Sequence, residues 1–528
     1  MAEIRTGSHR GIVLIGFMAA GKSRAAEAIA ERLGLGVMDT DDLLERELGE
    51  PIASFFAREG EVEFRRREER LVVSSLDALA GQVGGAASVV ALGGGAIESE
   101  AVRRGLRDHL PVWCDVDEET AWERAQESDR PLAVDGEQFS RRFAERRPLY
   151  EGAARAILPP RAGEAGGGAA PWLAALSEVP SVRLIWADSA TGSYPAAVGG
   201  GAISLLERAR ELVPGVLPER VFRIADAEVL ALHERLLPAG EATIEVEGSE
   251  EAKTLAEAER VLGELARAGA RRDDCLLAFG GGVVGDLAGF CAATYQRGVP
   301  LVQVPTTLVA QVDSAYGGKT GVDLPEGKNY IGAYHQPLAV LADPGTLATL
   351  PREELAAGWV EVVKTALIAG GTLWQRVRGI RELDPSGLDE VIFACARTKI
   401  RVVTEDERDS GRRAVLNLGH TVGHAIEAET GYRRYRHGEA VGLGLLAALR
   451  LSDADGLRAE VADLLAEQRL PTVLDPEVSV DGVLEAIGRD KKRTGEGVGF
   501  VLLERPGEPR WGEVVPADRV RAAVEELQ

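Results

Sequence analysis

The stretch GIVLIGFMAAGKSRAAEAIAERLG, Gly11 to Gly34, opens on a short apolar run, passes through a turn of small residues and continues with apolar positions three and four apart. That order reads as strand, tight turn and amphipathic helix. Within it, Gly16 to Ser23, GFMAAGKS, fits G-x-x-x-x-G-K-[ST]. The chemistry explains the residue types. Backbone N–H groups and the helix N-terminus cradle phosphates between Gly16 and Gly21, Lys22 neutralises them, and Ser23 ligates magnesium. The chain holds 62 glycines, so a Gly triplet alone means little; Lys22, Ser23 and the strand–helix setting single this turn out.

Two further apolar runs follow, SVVALGGGA from Ser88 and LPVWCDV from Leu110. Apolar runs alternating with helical periods imply a parallel sheet covered by helices. DTDD, Asp39 to Asp42, ends an apolar stretch. It reads as a capped turn or as the place where Mg²⁺ and an acceptor hydroxyl are held. EVEFRRREERL carries Arg65, Arg66 and Arg67, an exposed helix face unless a carboxylate acceptor needs a bidentate arginine. SDRPLAVDGEQFSRRFAERRPLY has the arginine-rich, loop-then-helix character of a phosphate lid. PPRAGEAGGGAAP, Pro159 to Pro171, reads as a loop. A new strand signal, VRLIWAD, follows a boundary near residue 178.

Bulk properties bound the rest. At 528 residues the chain exceeds one ordinary domain, and 45% apolar residues supply several cores. A net charge of −23 argues against nucleic-acid and anionic-membrane partners. The four cysteines are scattered, which fits a reducing cytoplasm. No apolar run reaches membrane-span length.

Behind the boundary, CLLAFGGGVVGDLAGF and PLVQVPTTLV are strands with glycine turns, whereas the segments beyond Pro351 are helical. GGG is weak as a dinucleotide sign. Histidine is more telling: three of the seven fall in NLGHTVGHAIEAETGYRRYRHGEA. His420 and His424 are four apart and share a helix face. With His437 and a carboxylate, Glu361 of GWVEVVK, such a cluster suits zinc with one position left open.

GFMAAGKS, DTD, FR, LGGGA, RPL and RxPLY, taken in order, resemble shikimate kinase over nearly all of residues 8–178. The resemblance implies that Ser23 and Asp39 serve magnesium. Asp41, Arg65, Gly94 and Arg146 would hold shikimate, with Asp41 as base or orienter, and Arg130 of the lid would reach the transferred phosphate. Ala19 and Ala20 stand where the family often has glycine. A gluconate-type kinase is the rival. Residues 182–528 resemble 3-dehydroquinate synthase through GSEEAK, GGGVVGD, VPTTLVAQVDSAYGGKTGVD, GKNYIGAYHQP, EVVK, LNLGHTVGHAIE, HGEA and RDKKRTGEG. This implies an NAD site at Asp226, Glu250, Lys253, Gly281, Gly282, Val283, Val284, Gly285 and Asp286. It continues through Thr306, Thr307, Lys319, Lys328, Thr346 and Thr349. Zinc, or another divalent ion such as Co²⁺, would sit on Glu361, His420 and His437. Arg297, Asp313, Lys319, Asn329, Lys364, Lys399, Arg413, Asn417, His424, Lys491 and Lys492 would surround the substrate. Lys319, Lys364 and His424 would be catalytic there. A related sugar-phosphate cyclase or a polyol dehydrogenase is the alternative.

The expected fold is α/β throughout: a P-loop kinase domain with a parallel sheet (1–178), an α/β NAD-binding part (179–350) and a mostly helical metal- and substrate-binding part (351–528). The expected activities are phosphorylation of shikimate by ATP and cyclisation of 3-deoxy-arabino-heptulosonate 7-phosphate with loss of phosphate. The latter runs through transient oxidation by bound NAD⁺, which acidifies the neighbouring C–H. A homodimer through the synthase half is the expected assembly.

Overall fold

The computed structural model describes residues 11–80, 88–126, 135–215, 217–494 and 499–528. The chain packs as two compact units, Met1–Asp188 with Gly192–Glu219, and Ser189–Thr191 with Arg220–Gln528.

The first unit is built on β1 (Ile12–Ile15), β2 (Gly36–Asp39), β3 (Ser88–Ala91) and β4 (Leu110–Cys114). It continues with β5 (Ala156–Leu158), β6 (Arg183–Asp188) and β7 (Ser193–Val198). Their order is β2-β3-β1-β4-β5-β6-β7. All pairs are parallel except β6–β7. β1 is buried at every position, which is why its sequence is a continuous apolar run instead of an alternating one. The helices are α1 (Lys22–Leu33), α2 (Thr40–Leu48), α3 (Ile52–Ala80) and α4 (Glu100–Gly105), then α5 (Glu118–Gln126), α6 (Gly136–Ala153), α7 (Ala162–Ser177) and α8 (Leu205–Leu212). α1 starts after Gly21 and stops at Gly34, both left-handed, and buries Ala25, Ala26, Ile29, Ala30 and Leu33.

The glycine-rich stretch from Pro159 to Pro171 is not a loop: most of it lies in α7. A Cβ on Gly166 would stand 3.0 Å from the Ala25 carbonyl oxygen and 3.4 Å from Ala28 Cβ, so α7 seats directly on α1. Trp172 to Leu176 are buried as well. Glycine costs a helix about 1 kcal/mol per residue against alanine. Here close packing overrides that local preference, and composition alone points the wrong way.

The second unit holds β8 (Val221–Asp226), β9 (Ala242–Val246), β10 (Cys275–Gly280), β11 (Leu301–Pro305) and, after the antiparallel hairpin β12 (Lys319–Leu324) and β13 (Gly327–Tyr334), β14 (Ala339–Ala342). The parallel sheet runs β14-β11-β10-β8-β9. Its helices are α9 (Ala227–His233), α10 (Leu255–Arg267) and α11 (Gly282–Thr294). α10 is capped by the Thr254 side chain and buries Ala258, Val261 and Leu265, one stripe at helical spacing.

Beyond Pro351 come α12 (Arg352–Ala369), α13 (Gly371–Val377), α14 (Asp389–Glu405), α15 (His420–Glu429) and α16 (His437–Leu451). After these come α17 (Asp455–Glu467), α18 (Val480–Thr494), a hairpin of β15 (Gly499–Leu503) and β16 (Pro509–Val514), and α19 (Ala517–Glu525). Every residue of α12 from Leu355 to Ile368 is buried, the charged Glu361 and Lys364 included. Among the described residues no helix is long and apolar enough to cross a membrane.

Candidate active sites

In the first unit the site lies at the C-terminal ends of β1, β2 and β3, where loops of a parallel sheet collect. The turn after β1 ends on Gly21 at φ 83°. Lys22 is buried, its ammonium donating to the carbonyls of Gly16 and Phe17 at 3.0 Å each, which holds it inside the loop. Ser23 Oγ donates to Asp39 Oδ2 at 2.7 Å, so the hydroxyl and the carboxylate expected at magnesium are adjacent. Asp39 also caps α2, its Oδ1 accepting from Asp41 N; the capped turn and the ligand position are the same residue.

The Gly93–Gly95 triplet after β3 explains itself by close approach. A Cβ on Gly93 would lie 2.6 Å from both Asp41 Oδ1 and Glu68 Oε1, and one on Gly95 would overlap the Arg65 guanidinium. Gly94 O accepts from the Tyr150 hydroxyl. Arg65 Nη1 pairs with Glu68 Oε2 at 2.6 Å, and Arg146, buried in α6, reaches Glu98 Oε2 at 3.0 Å. Asp41, Arg65, Gly94 and Arg146 are therefore gathered in one cradle. Arg130 lies outside the described residues.

In the second unit, β10 ends at Gly280 and α11 starts at Gly282, with Gly281 as its N-cap. Asp226 closes β8 and caps α9 by accepting from Glu228 N and Val229 N. A Cβ on Gly248 would stand 1.9 Å from Asp226 Oδ2, so the strand ends at β8 and β9 meet there. Val283, Val284, Gly285 and Asp286 form the first turn of α11. Lys253, buried, pairs with Asp286 at 2.6 Å. Thr306 is buried with its hydroxyl lacking a hydrogen-bond partner, and Thr307 Oγ1 accepts from Ala310 N. An unpaired hydroxyl beside a helix N-terminus and a glycine turn fits a phosphate-bearing nucleotide. Thr346 instead receives Gln311 Nε2, and Thr349 contacts His233 Nε2. Lys328 lies 3.5 Å from both Glu250 and Glu427.

The histidines converge. Donor atoms of His420, His424 and His437 all lie within 4.8 Å of one another. Glu361 Oε1 is 3.7 Å from His420 Nε2 and 3.6 Å from His437 Nε2, beyond hydrogen-bond distance. Both oxygens of this fully buried carboxylate lack a hydrogen-bond partner, although the Lys364 ammonium lies against Oε2 as its ion partner. A buried carboxylate facing imidazole nitrogens without bonding them fits a divalent cation.

Electrostatics agree at His420 and Glu361, whereas at His437 burial is outweighed by Glu361 and Glu427, which raise it to about 9, so a metal there must displace a proton. Burial, then the Lys364 charge, holds the His420 imidazole down at about 3, hence neutral and able to donate a lone pair. Burial resists the charge on Glu361, but Lys364 and the neighbouring histidines hold it well below the usual carboxylate range. Asp313 pairs with Lys399 at 2.6 Å. Lys364 is raised because Asp313 and Glu361 outweigh its burial, whereas burial lowers Lys399. Arg413, buried, donates to the carbonyls of Glu407 and Gly317. Lys319 pairs with Asp409. Asn329 is exposed, and no described contact ties Arg297 or Asn417 to this cluster. Lys491 and Lys492 lie in α18, their side chains outside the described set.

Residues 243–357 match the 3-dehydroquinate synthase N-terminal family model, and residues 358–493 the C-terminal one. The 3-dehydroquinate synthase of Symbiobacterium thermophilum is 42% identical over 354 residues, which is 63% of this chain and 98% of that protein. The chain belongs to the 3-dehydroquinate synthase family. The synthase of Halorhodospira halophila is 43% identical over 340 residues, 62% of this chain and 94% of its own length. Ahead of the synthase, residues 18–164 match the shikimate kinase family model. A solved 2-deoxy-scyllo-inosose synthase complexed with carbaglucose-6-phosphate, NAD⁺ and Co²⁺ is 25% identical, with a TM-score of 0.55 over 65% of this chain and 99% of that one. The 2-epi-5-epi-valiolone synthase of Streptomyces hygroscopicus, solved with NAD⁺ and Zn²⁺, is 26% identical, with a TM-score of 0.56 over 64% of this chain and 97% of its own.

The synthase site contains a residue that sequence reading passed over. Glu427, buried on α15, lies 3.3 Å from His437 Nδ1 through Oε2. Burial raises its pKa, but His437 and Lys328 pull it down to about 2. A carboxylate on the far nitrogen of a metal-ligating histidine fixes its tautomer and orientation. The signal was there, since Glu427 follows His424 by three and His420 by seven on one helical face. Glu427→Gln is expected to weaken metal binding about 10–100-fold. Equilibrium dialysis against a metal buffer measures this; unchanged affinity would remove the role.

Proposed function

We propose that this chain is a bifunctional enzyme of the shikimate pathway. Its front half phosphorylates shikimate with ATP to shikimate 3-phosphate. Its rear half cyclises 3-deoxy-arabino-heptulosonate 7-phosphate to 3-dehydroquinate and releases phosphate. The observation that carries the rear assignment is the buried Glu361 facing His420 and His437 beside Lys364, Lys399 and Asp313. A metal-dependent polyol dehydrogenase has no need of so many buried cations, whereas a substrate bearing both a carboxylate and a phosphate does. We assign the kinase to residues 1–178, the NAD-binding part to 179–350 and the metal-binding part to 351–528, in a cytoplasmic protein. The proposed assembly is a homodimer through the synthase half, without nucleic-acid or membrane partners.

In the kinase, Lys22 and the loop N–H groups hold the nucleotide phosphates, with Ser23 and Asp39 placed for Mg²⁺. Asp41 orients the attacked hydroxyl and Arg65 and Arg146 fix the acceptor carboxylate, so catalysis is chiefly positioning and charge stabilisation. In the synthase, Glu361, His420 and His437 would hold the ion, and Asp226, Lys253, Gly281–Asp286 and Thr306 would hold the nucleotide. When bound, NAD⁺ supplies reversible oxidation of one substrate hydroxyl and Zn²⁺ or Co²⁺ supplies Lewis-acid polarisation of that oxygen. Lys364, Lys399 and Arg413 bind the substrate's anionic groups. His424, lowered by burial and thus neutral, is positioned beside the cluster as a proton acceptor; the departing phosphate is the other candidate. One preparation tests both halves. It should release phosphate from the heptulosonate phosphate, and ADP from ATP only when shikimate is added.

A further inference from the structure

The acceptor cradle of the kinase half already contains a carboxylate on its two arginines. Glu98 closes the short 3-10 turn Ala96–Glu98 that follows the Gly93–Gly95 triplet. Its Oε2 lies 3.0 Å from Arg146 Nη2 and 3.8 Å from Arg65 Nε, so one oxygen bridges both guanidinium groups. Arg146 is 2% exposed, and the Nε atoms of both arginines are buried without a hydrogen-bond partner. The cradle is thus under-satisfied even with Glu98 in it: two cations with donors to spare.

Three carboxylates lie on these arginines, and they differ in kind: Glu61, 42% exposed, reaches only Arg65 of the two, at 3.5 Å. Glu68 is 4% exposed and pairs with Arg65 from the same helix, three residues on, a fixed counter-ion. The Glu98 side chain is 41% exposed and can swing into water. Its backbone does not depend on that side chain: Arg103 Nη1 donates to the carbonyls of Ile97 and Glu98 at 2.7 Å each, and Ser99 caps α4.

We propose that Glu98 is a resident counter-carboxylate of the acceptor site, which an incoming acceptor must displace from Arg146 and Arg65. It keeps the buried Arg146 paired while the site is empty, adds to the Glu68 and Glu61 pairing of the half-buried Arg65, and sets a threshold for entry. An acceptor with its own carboxylate replaces the ion pair like for like, whereas a neutral polyol has no charge with which to compete. Glu98 is therefore a specificity-setting and positioning residue that acts on acceptor affinity through Arg146 and Arg65. The inference rests on the kinase reading and deepens it.

The test is steady-state kinetics of the full chain with shikimate and ATP, comparing wild type with Glu98→Gln and Glu98→Ala. Removing the internal competitor should lower the KM for shikimate about tenfold in both variants, equivalent to about 1.4 kcal/mol. The kcat and the KM for ATP should stay within about twofold, because P-loop and Asp41 are untouched. Unchanged or raised KM for shikimate in both variants would overturn the proposal; a rise would mean that Glu98 binds the acceptor itself. A wild-type protein that releases no ADP with shikimate would instead overturn the kinase reading, so the two failures are distinct.

Discussion

Lys22→Ala is expected to lower the rate of ADP formation with shikimate by about 10²–10³-fold or more, because it removes a preorganised charge from the transferring phosphoryl group. The ammonium is already inside the loop, held by the carbonyls of Gly16 and Phe17. The loss should fall on kcat, and the protein should still bind shikimate, whose cradle is built on other elements. Phosphate release from the heptulosonate phosphate should be unaffected, since the synthase residues lie in the second unit. Kinase turnover near wild type would remove the phosphate role of the Gly16–Ser23 loop.

The second large effect is expected at Glu361. Its side chain and that of Lys364 are each 1% exposed on a helix buried along most of its length. Glu361→Ala removes a metal ligand and leaves a buried ammonium without its nearest counter-ion. Breaking a buried pair from one side costs about 3–5 kcal/mol. The variant should therefore lose stability on that scale, retain no stoichiometric metal after dialysis and release no phosphate from the heptulosonate phosphate. Glu361→Gln keeps the volume and should lose metal with a smaller loss of stability. Elemental analysis beside denaturant unfolding separates the two effects. Wild-type metal content in either variant would contradict the ligand assignment.

What the sequence showed and what it hid have physical causes. The P-loop was legible because its chemistry is local: a strand, a glycine turn, Lys22 and Ser23 are contiguous. The histidine pair was legible because four residues make one helical face. α7 was misread because glycine and proline report local preference, and it is held by packing on α1, where Gly166 meets Ala25 far back in the sequence. Glu361 stood out as the carboxylate that a histidine cluster needs to complete a zinc site, and the family resemblance implies the same ligand. Glu98 and Asp409 were missed because each is defined by a partner distant in sequence, whereas Glu427 was missed although its helical spacing from His420 and His424 was legible. Arg297 and Asn417, expected at the substrate, have no described contact with the cluster.

The central claim is that the rear half performs a redox-neutral cyclisation, for which NAD⁺ held at Asp226, Lys253, Gly281–Asp286 and Thr306 would supply reversible oxidation with no net reduction. The most direct measurement follows reduced-nicotinamide absorbance and free phosphate in one cuvette, with the metal-loaded full chain, NAD⁺ and the heptulosonate phosphate. The account predicts phosphate released in proportion to substrate, no accumulation of NADH and an absolute need for NAD⁺. One NADH formed per substrate with no phosphate released would contradict it, and would make the rear half a dehydrogenase.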